Sequence, residues 1–318
     1  MRIAIAGNGS LAFNMMRSLL ESRHEVVALV QNGRTTRGWK RTLFGLATST
    51  FAFESTLNGL AYRRGLPTIW IDKMDERELA PLRRLEPDIL LVGGFAIILK
   101  KRILELPRIT CVNAHTSLLP RHRGPNPFSA VILQNETETG LTFHLIDEGI
   151  DTGDILAQFA FPVEQTDTAY SVYQRGCEIA GEHVVEVMDR IEEKGVHAMP
   201  QDASKSTYDQ KLDPDDYKID WTRTVEHYER LMRAGRPFFN PWFSWRGNTV
   251  YLIRGKFKKE QTEGEPGTVL SVRPRPKVAI GDGSCTVITA IGRTRLPWVW
   301  PAPWQKLRAG ERLNVNGR

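Results

Sequence analysis

The chain has 318 residues, 41% hydrophobic and 25% charged, with a formal net charge of +6. That is the composition of a globular protein, and the length favours two domains over one. No apolar run reaches the roughly 18 residues of a membrane-spanning helix, and the opening MRIAIAGNGS lacks the basic, apolar and cleavage regions of a signal peptide, so a cytoplasmic location and no membrane partner are expected.

Residues 2–6 form a short apolar strand in this pattern, followed by the turn Gly7-Asn8-Gly9-Ser10, a helix over 11–21 and a strand over 24–30. A strand–turn–helix–strand opening is typical of a parallel α/β sheet. The turn imitates a dinucleotide fingerprint. However, Ala12 stands at the third glycine position and Gln31 where an acidic residue would close the second strand, so a βα turn of small residues is expected instead. Residues 32–41 make a basic loop, either solvated or in contact with phosphate, and 42–60 an apolar helix or flap. A strand at 68–71, a helix at 76–85, a strand at 88–92, a short helix at 100–106 and a strand at 109–114 continue the α/β pattern.

A second strand-like run, 141–146, leads into a glycine-bearing loop, 147–153, and later a long amphipathic helix, 170–194. The polar stretch 200–212 is a linker candidate. Beyond a helix at 222–234, short alternating runs at 250–253, 267–272, 277–280 and 285–291 fit a small antiparallel barrel. The expected organisation is a catalytic domain at 1–199, a linker at 200–212 and a C-terminal domain at 213–318. From Ser206 onward 20 Lys and Arg face 12 Asp and Glu, a net of +8, against −2 for the rest. A basic third on a near-neutral body suits a polyanionic partner or a generically basic surface. The Trp- and Pro-rich stretch 297–304 would cover a barrel end or offer a stacking surface. Cys111, Cys177 and Cys285 are far apart without a CxxC pair, as buried free thiols are.

The chemistry concentrates between residues 111 and 154. Asn113 and His115 are two apart on a strand, so they share a face. Asp151 follows in the glycine-bearing loop. An amide donor, an imidazole and a carboxylate to orient it suit acyl transfer through a tetrahedral intermediate. His144, between Phe143 and Leu145, faces the site or satisfies a backbone group. No second ligand cluster supports a zinc site, and no metal is expected.

These residues carry a family resemblance. Asn113-Ala-His115, Ser117-Leu-Leu-Pro120, Arg123-Gly124, Thr139-Gly-Leu-Thr142 and Asp147-Glu-Gly-Ile-Asp151-Thr-Gly-Asp154 resemble, in order and spacing, the signature of the 10-formyltetrahydrofolate-dependent formyltransferases. The C-terminal third, with Ile219-Asp220-Trp221, Arg233-Ala234, Phe239-Asn-Pro-Trp242 and Pro266-Gly-Thr268, resembles the extension of methionyl-tRNA formyltransferases. The resemblance implies a Rossmann-like α/β domain followed by a small OB-like β-barrel. It also implies transfer of a formyl group from 10-formyltetrahydrofolate to a primary amine, that of methionyl-tRNA or alternatively a small amine such as a nucleotide-linked amino sugar.

Roles follow by the same resemblance. Asn113 would bond the formyl oxygen, His115 would move the amine proton or stabilise the intermediate, and Asp151 would orient and polarise His115 and help pass the proton to the departing nitrogen. Ser117, Leu118, Leu119 and Pro120 would form the folate wall. Phe95, Ile97, Asp147 and Gly149 would line the pterin. Arg34, Arg37, Lys40 and Arg41 would meet an anionic acceptor such as tRNA, and Arg123 an anionic substrate or the folate tail. The sequence departs from the methionyl-tRNA enzymes mainly on the acceptor side, where Arg123-Gly-Pro-Asn-Pro127 replaces their R-G-A-A-P.

Overall fold

The computed structural model describes residues 1–33, 54–292, 300–301 and 307–313. They form two compact units, Met1–Pro127 with Thr137–Val163 and Ser171–Gln210, and Phe128–Glu136 with Glu164–Tyr170 and Lys211–Arg318.

The first unit opens with β1 (Arg2–Gly7), α1 (Gly9–Leu20) and β2 (Glu25–Asn32). There follow α2 (Leu57–Arg63), β3 (Thr68–Ile71), α3 (Glu76–Arg84), β4 (Ile89–Gly93), α4 (Lys101–Leu104) and β5 (Thr110–His115). After α5 (Pro127–Leu133), which belongs to the second unit, come β6 (Glu138–Leu145), β7 (Ile155–Pro162) and α6 (Ala169–Lys194). The strands lie in the order β3-β2-β1-β4-β5-β6-β7. Strand order reverses direction at β1 and β4, so a crevice opens beyond their carboxyl ends, where α/β sheets bind ligands.

Alternation along the strands sends side chains to two cores. Ile3, Ile5, Leu91 and Val112 meet Leu11, Met15, Val184 and Met188 of α1 and α6 on one face. Ala4, Ala6, Leu90 and Val92 meet Leu79, Leu82 and Ile103 on the other. Gly93 leaves room for α1, since a Cβ there would sit 2.4 Å from Met15 Cε and 3.2 Å from Leu11 Cγ and would push the Met15 side chain aside. Cys111, Cys177 and Cys285 are buried free thiols, each pushed up to about 12 by burial.

β1 to β5 pair parallel, but β5–β6 and β6–β7 are antiparallel. A parallel step needs a crossover helix packed on the sheet. The only helix between β5 and β6 is α5, which clusters with the second unit instead. Within the expected 42–60 helix or flap, the described residues contain only the start of α2, capped where the Thr56 hydroxyl accepts from Gly59. The basic loop with Arg34, Arg37, Lys40 and Arg41 lies outside the described residues. Of the expected linker, residues 200–210 cluster with the first unit and 211–212 with the second.

The second unit carries α7 (Val225–Gly235), β8 (Trp242–Trp245), β9 (Asn248–Lys259), β10 (Val269–Ser271), β11 (Lys277–Ile280), β12 (Gly283–Gly292) and β13 (Trp300–Pro301). These strands form one curled antiparallel sheet of the OB-like, half-barrel kind, in the order β10-β11-β12-β9-β8 with β13 on β12. Register breaks at Val287/Thr289 and Thr289/Ala290 bend β12, as bulges do. β9 runs past the expected 250–253, because its alternation continues with Arg254, Lys256 and Lys258 exposed. Tyr217, Trp221, Tyr228 and Phe243 fill the core between this sheet and α7.

Candidate active site

β5 delivers Asn113 and His115 to the carboxyl edge of the first sheet, with β4 on one side and His144 of β6 directly opposite Asn113 on the other. The loop after β6 brings back Asp151. Its backbone is in the left-handed region, φ 53°, which a non-glycine residue occupies only when its surroundings hold it. The Asp147 carboxylate shapes this loop by accepting from the Gly149 N–H (3.0 Å) and the Thr152 hydroxyl (2.6 Å). Gln201 braces it, donating its amide to the carbonyls of Asp151 (2.9 Å) and Gly153 (2.7 Å).

The network fixes which nitrogen of each ring carries hydrogen. His115 Nε2 lies 2.8 Å from the His122 carbonyl, which only accepts, so Nε2–H donates there. Nδ1 is left with its lone pair, 3.7 Å from Asp151 Oδ2. His144 Nδ1 donates to the Leu145 carbonyl at 2.7 Å, so its Nε2 accepts from the Asn113 amide at 3.0 Å. The second amide hydrogen of Asn113 points at Asp151 Oδ1 over a long 3.4 Å. The other Asp151 oxygen accepts from the Gly124 N–H at 2.8 Å.

Burial pushes the His115 imidazole below its usual range; the Asp151 charge and the His122 carbonyl pull it back only in part. Burial works against the Asp151 carboxylate too, but the charge at His115, the His144 ring 3.7 Å away and the Gly124 N–H outweigh it and hold Asp151 at about 2. At neutral pH the site therefore presents a neutral base beside a fixed carboxylate, with a polarised amide donor next to both. Chemically, such a set can offer a donor to an oxyanion and a base to an incoming nucleophile.

The other residues singled out in the sequence divide. The Ser117 hydroxyl is fully buried and donates to the Arg121 carbonyl at 2.9 Å. Leu119 is buried, its N–H on the Thr142 hydroxyl and its carbonyl on the Gln158 amide. Leu118 lies against Gly140, and the Pro120 carbonyl accepts from Thr207 N–H. Ile97 is buried and Phe95 half-buried against the sheet core, while the neighbouring Ile98 is 68% exposed. Arg123 gives its guanidinium to Gln201 Oε1 at 2.7 and 3.2 Å, which makes it a brace of the Asp151 loop. Sequence reasoning missed Gln201 and the Gly124 N–H. Gln201 belongs to no recognisable pattern, and Gly124, though part of the Arg123-Gly124 motif, acts through a backbone N–H that reaches Asp151 by approach in space.

One grouping of metal-ligand spacing occurs among the described residues, His24 with Asp189 and Glu192. Its carboxylates already pair with Arg23 at 2.6 and 3.2 Å, and it lies at the amino end of β2, at the sheet edge opposite His115.

The chain belongs to the formyl transferase family: the formyl transferase model matches residues 1–188, and that of the formyl transferase C-terminal domain matches 211–294. It is a formyltransferase. A methionyl-tRNA formyltransferase of Marinobacter nauticus is 31% identical over 296 residues, 91% of either chain. Among solved structures, the fold matches an N-formyltransferase of Helicobacter canadensis in complex with folinic acid and dTDP-3-aminofucose, with a TM-score of 0.63 at 21% identity over 90% of this chain and 98% of that one. It also matches HypX of Aquifex aeolicus in complex with tetrahydrofolic acid, with a TM-score of 0.64 at 18% identity over 96% of this chain and 48% of that one, so this chain spans about half the length of HypX. Among the described residues no helix is long and apolar enough to cross a membrane.

Proposed function

We propose that this formyltransferase moves the formyl group of 10-formyltetrahydrofolate to the amino group of methionyl-tRNA in the cytoplasm. The observation that carries it is the Asn113, His115 and Asp151 constellation at the crevice of a Rossmann-like sheet, in a chain related over nearly its whole length to a methionyl-tRNA formyltransferase.

The residues present fit a formyl donor. Asn113 has an amide hydrogen held only loosely, at 3.4 Å, and so free to turn to a carbonyl oxygen. Ile98 and Ile150, 68% and 41% exposed in the loops after β4 and β6, offer apolar surface that the chain itself leaves open. The folate, when bound, supplies the formyl carbon and a nitrogen leaving group. Asn113 donates to the formyl oxygen as negative charge gathers on it. His115 Nδ1 takes the proton that the attacking amine must lose. Asp151 stabilises the imidazolium so formed, and the same proton is then available to the departing nitrogen.

The acceptor is charged methionyl-tRNA, met by Arg34, Arg37, Lys40 and Arg41 and by the basic second unit, where Arg254, Lys256 and Lys258 line one face of β9. A small amine such as a nucleotide-linked amino sugar is the second reading, favoured by the fold match covering 98% of the H. canadensis enzyme. Formyl transfer to initiator methionyl-tRNA at low and physiological salt separates them. Fast formylation that weakens steeply with salt is expected. No formylation of the tRNA by an enzyme that still binds folate and formylates an amino-sugar nucleotide would overturn the tRNA assignment.

A further inference from the structure

We propose that residues 201–209 are a working strap of the site, in which Gln201 and Asp209 are positioning residues that hold Asp151 and His115 in their catalytic geometry. This rests on the roles proposed above for His115 and Asp151.

Three separate contacts of this segment converge on the site. Gln201 bridges, taking the Arg123 guanidinium on its oxygen and giving its amide to the carbonyls of Asp151 and Gly153. Further along, the strap backbone pairs with Arg123: Arg123 N–H donates to the Thr207 carbonyl at 2.9 Å, and Asp209 N–H to the Arg123 carbonyl at 2.8 Å. The Asp209 carbonyl comes so near Gly124 that a Cβ there would lie 2.3 Å from it. This close pairing sets the direction of the Gly124 N–H that bonds Asp151 Oδ2.

The third contact reaches His115. Asp209 Oδ2 accepts from His122 Nδ1 at 2.7 Å, and the Thr207 hydroxyl accepts from His122 N–H at 2.7 Å. Between them they hold His122 in the left-handed region, φ 58°, with its carbonyl 2.8 Å from His115 Nε2. The consequence is chemical. A neutral imidazole carries one hydrogen, and two acceptors compete for it: the His122 carbonyl at Nε2 and the Asp151 carboxylate at Nδ1. If the carbonyl swings away, the carboxylate wins, Nδ1 becomes N–H, and the basic nitrogen turns from the substrate side. The strap thus selects the tautomer in which Nδ1 is the base.

The test is nitrogen-15 NMR of histidine-labelled enzyme, read with kcat and KM for the formyl donor in the acceptor assay. The wild type is expected to show His115 as the Nε2–H tautomer. In Asp209→Ala it should shift toward Nδ1–H, and kcat should fall about tenfold or more while KM moves less than about twofold, as for a misplaced base. Asp209→Asn, whose side-chain oxygen can still accept from His122, should restore both. Thr207→Val removes one acceptor at nearly constant volume and should move the same signals, which keeps the test alive if the alanine variant does not fold. A wild-type tautomer and kcat in folded Asp209→Ala or Thr207→Val, beside an inactive His115→Asn, would overturn the strap alone. An active His115→Asn would overturn the site assignment beneath it.

Discussion

The amide of Asn113 is held by His144: Nδ2 stands 3.0 Å from His144 Nε2, a nitrogen left bare because Nδ1 spends its hydrogen on the Leu145 carbonyl. The residue proposed above to bond the formyl oxygen is thus aimed by a histidine on the neighbouring strand. Replacing His144 by alanine frees Asn113 to turn, and misplacing a catalytic group by an ångström costs roughly 10–100-fold. We expect a kcat loss of that order in His144→Ala, with donor KM little changed. His144→Gln, which keeps an acceptor near Nε2, should recover much of it. Equal losses in both variants would reduce His144 to a packing role.

Asp151 is the second test. Asp151→Asn keeps the shape of the loop, and Gln201 still holds its backbone through the carbonyls of residues 151 and 153. What it removes is the charge proposed to stabilise the His115 imidazolium. A rate loss of about 10²–10⁴-fold is expected at neutral pH, with the fold intact by circular dichroism and thermal melting. Near-normal turnover would sink the proposed mechanism.

The parts that the chain revealed by itself, and those it hid, differ in physical kind. Asn113 and His115 were legible because a strand's period of two puts them on one face, and the structure has them together. The apolar runs of β1 and β4 likewise read as strands of a parallel α/β sheet, and the structure buries both of their faces. Ser117, placed on the folate wall by the family motif, turns its hydroxyl inward to the Arg121 carbonyl, a partner that the sequence does not announce. The partner of Arg123 was hidden too, since charge says nothing of what a guanidinium will meet, here Gln201. Gln201 and Asp209 lie 50 and 87 residues from the Asp151 and His122 groups they hold, and no local pattern encodes such an approach. The antiparallel turn of β6 depended on where α5 packs, which is a tertiary fact.

The pH dependence follows from His115. Its value is held below the usual histidine range by burial, and the base must be neutral to accept a proton. The kcat/KM profile should therefore rise with pH and level off, with an acid-limb midpoint below about 6.5. Asp151, held at about 2, stays ionised throughout that window and contributes no limb. The same shift acts on stability. The unfolded chain protonates His115 first, so it binds more protons than the native state, and stability falls as pH drops from the unfolded histidine value toward the folded one. Chemical denaturation at stepped pH measures the second effect, and NMR titration of His115 the midpoint. A midpoint above the usual histidine value would contradict the burial argument.

Gly153 links the fold to the chemistry. A Cβ at this position would lie 1.9 Å from the Leu145 carbonyl oxygen and 2.7 Å from its carbon, and both atoms are backbone that no rotamer change can clear. Leu145 N–H is itself bonded to the Asp154 carbonyl at 2.9 Å, so the clash must open the base of the loop that carries Asp151. Overpacking of this sort costs about 1–3 kcal/mol. Gly153→Ala should lower the urea midpoint accordingly and reduce kcat as well, because the Gly153 carbonyl is one of the two that Gln201 grips. Gly195→Ala is the control for a generic glycine effect, with nothing within 4 Å of its Cβ but a φ of 79° that strains any side chain. It should cost stability alone. A Gly153→Ala enzyme that loses stability yet keeps full kcat would show that the loop closes around Asp151 without help from this packing.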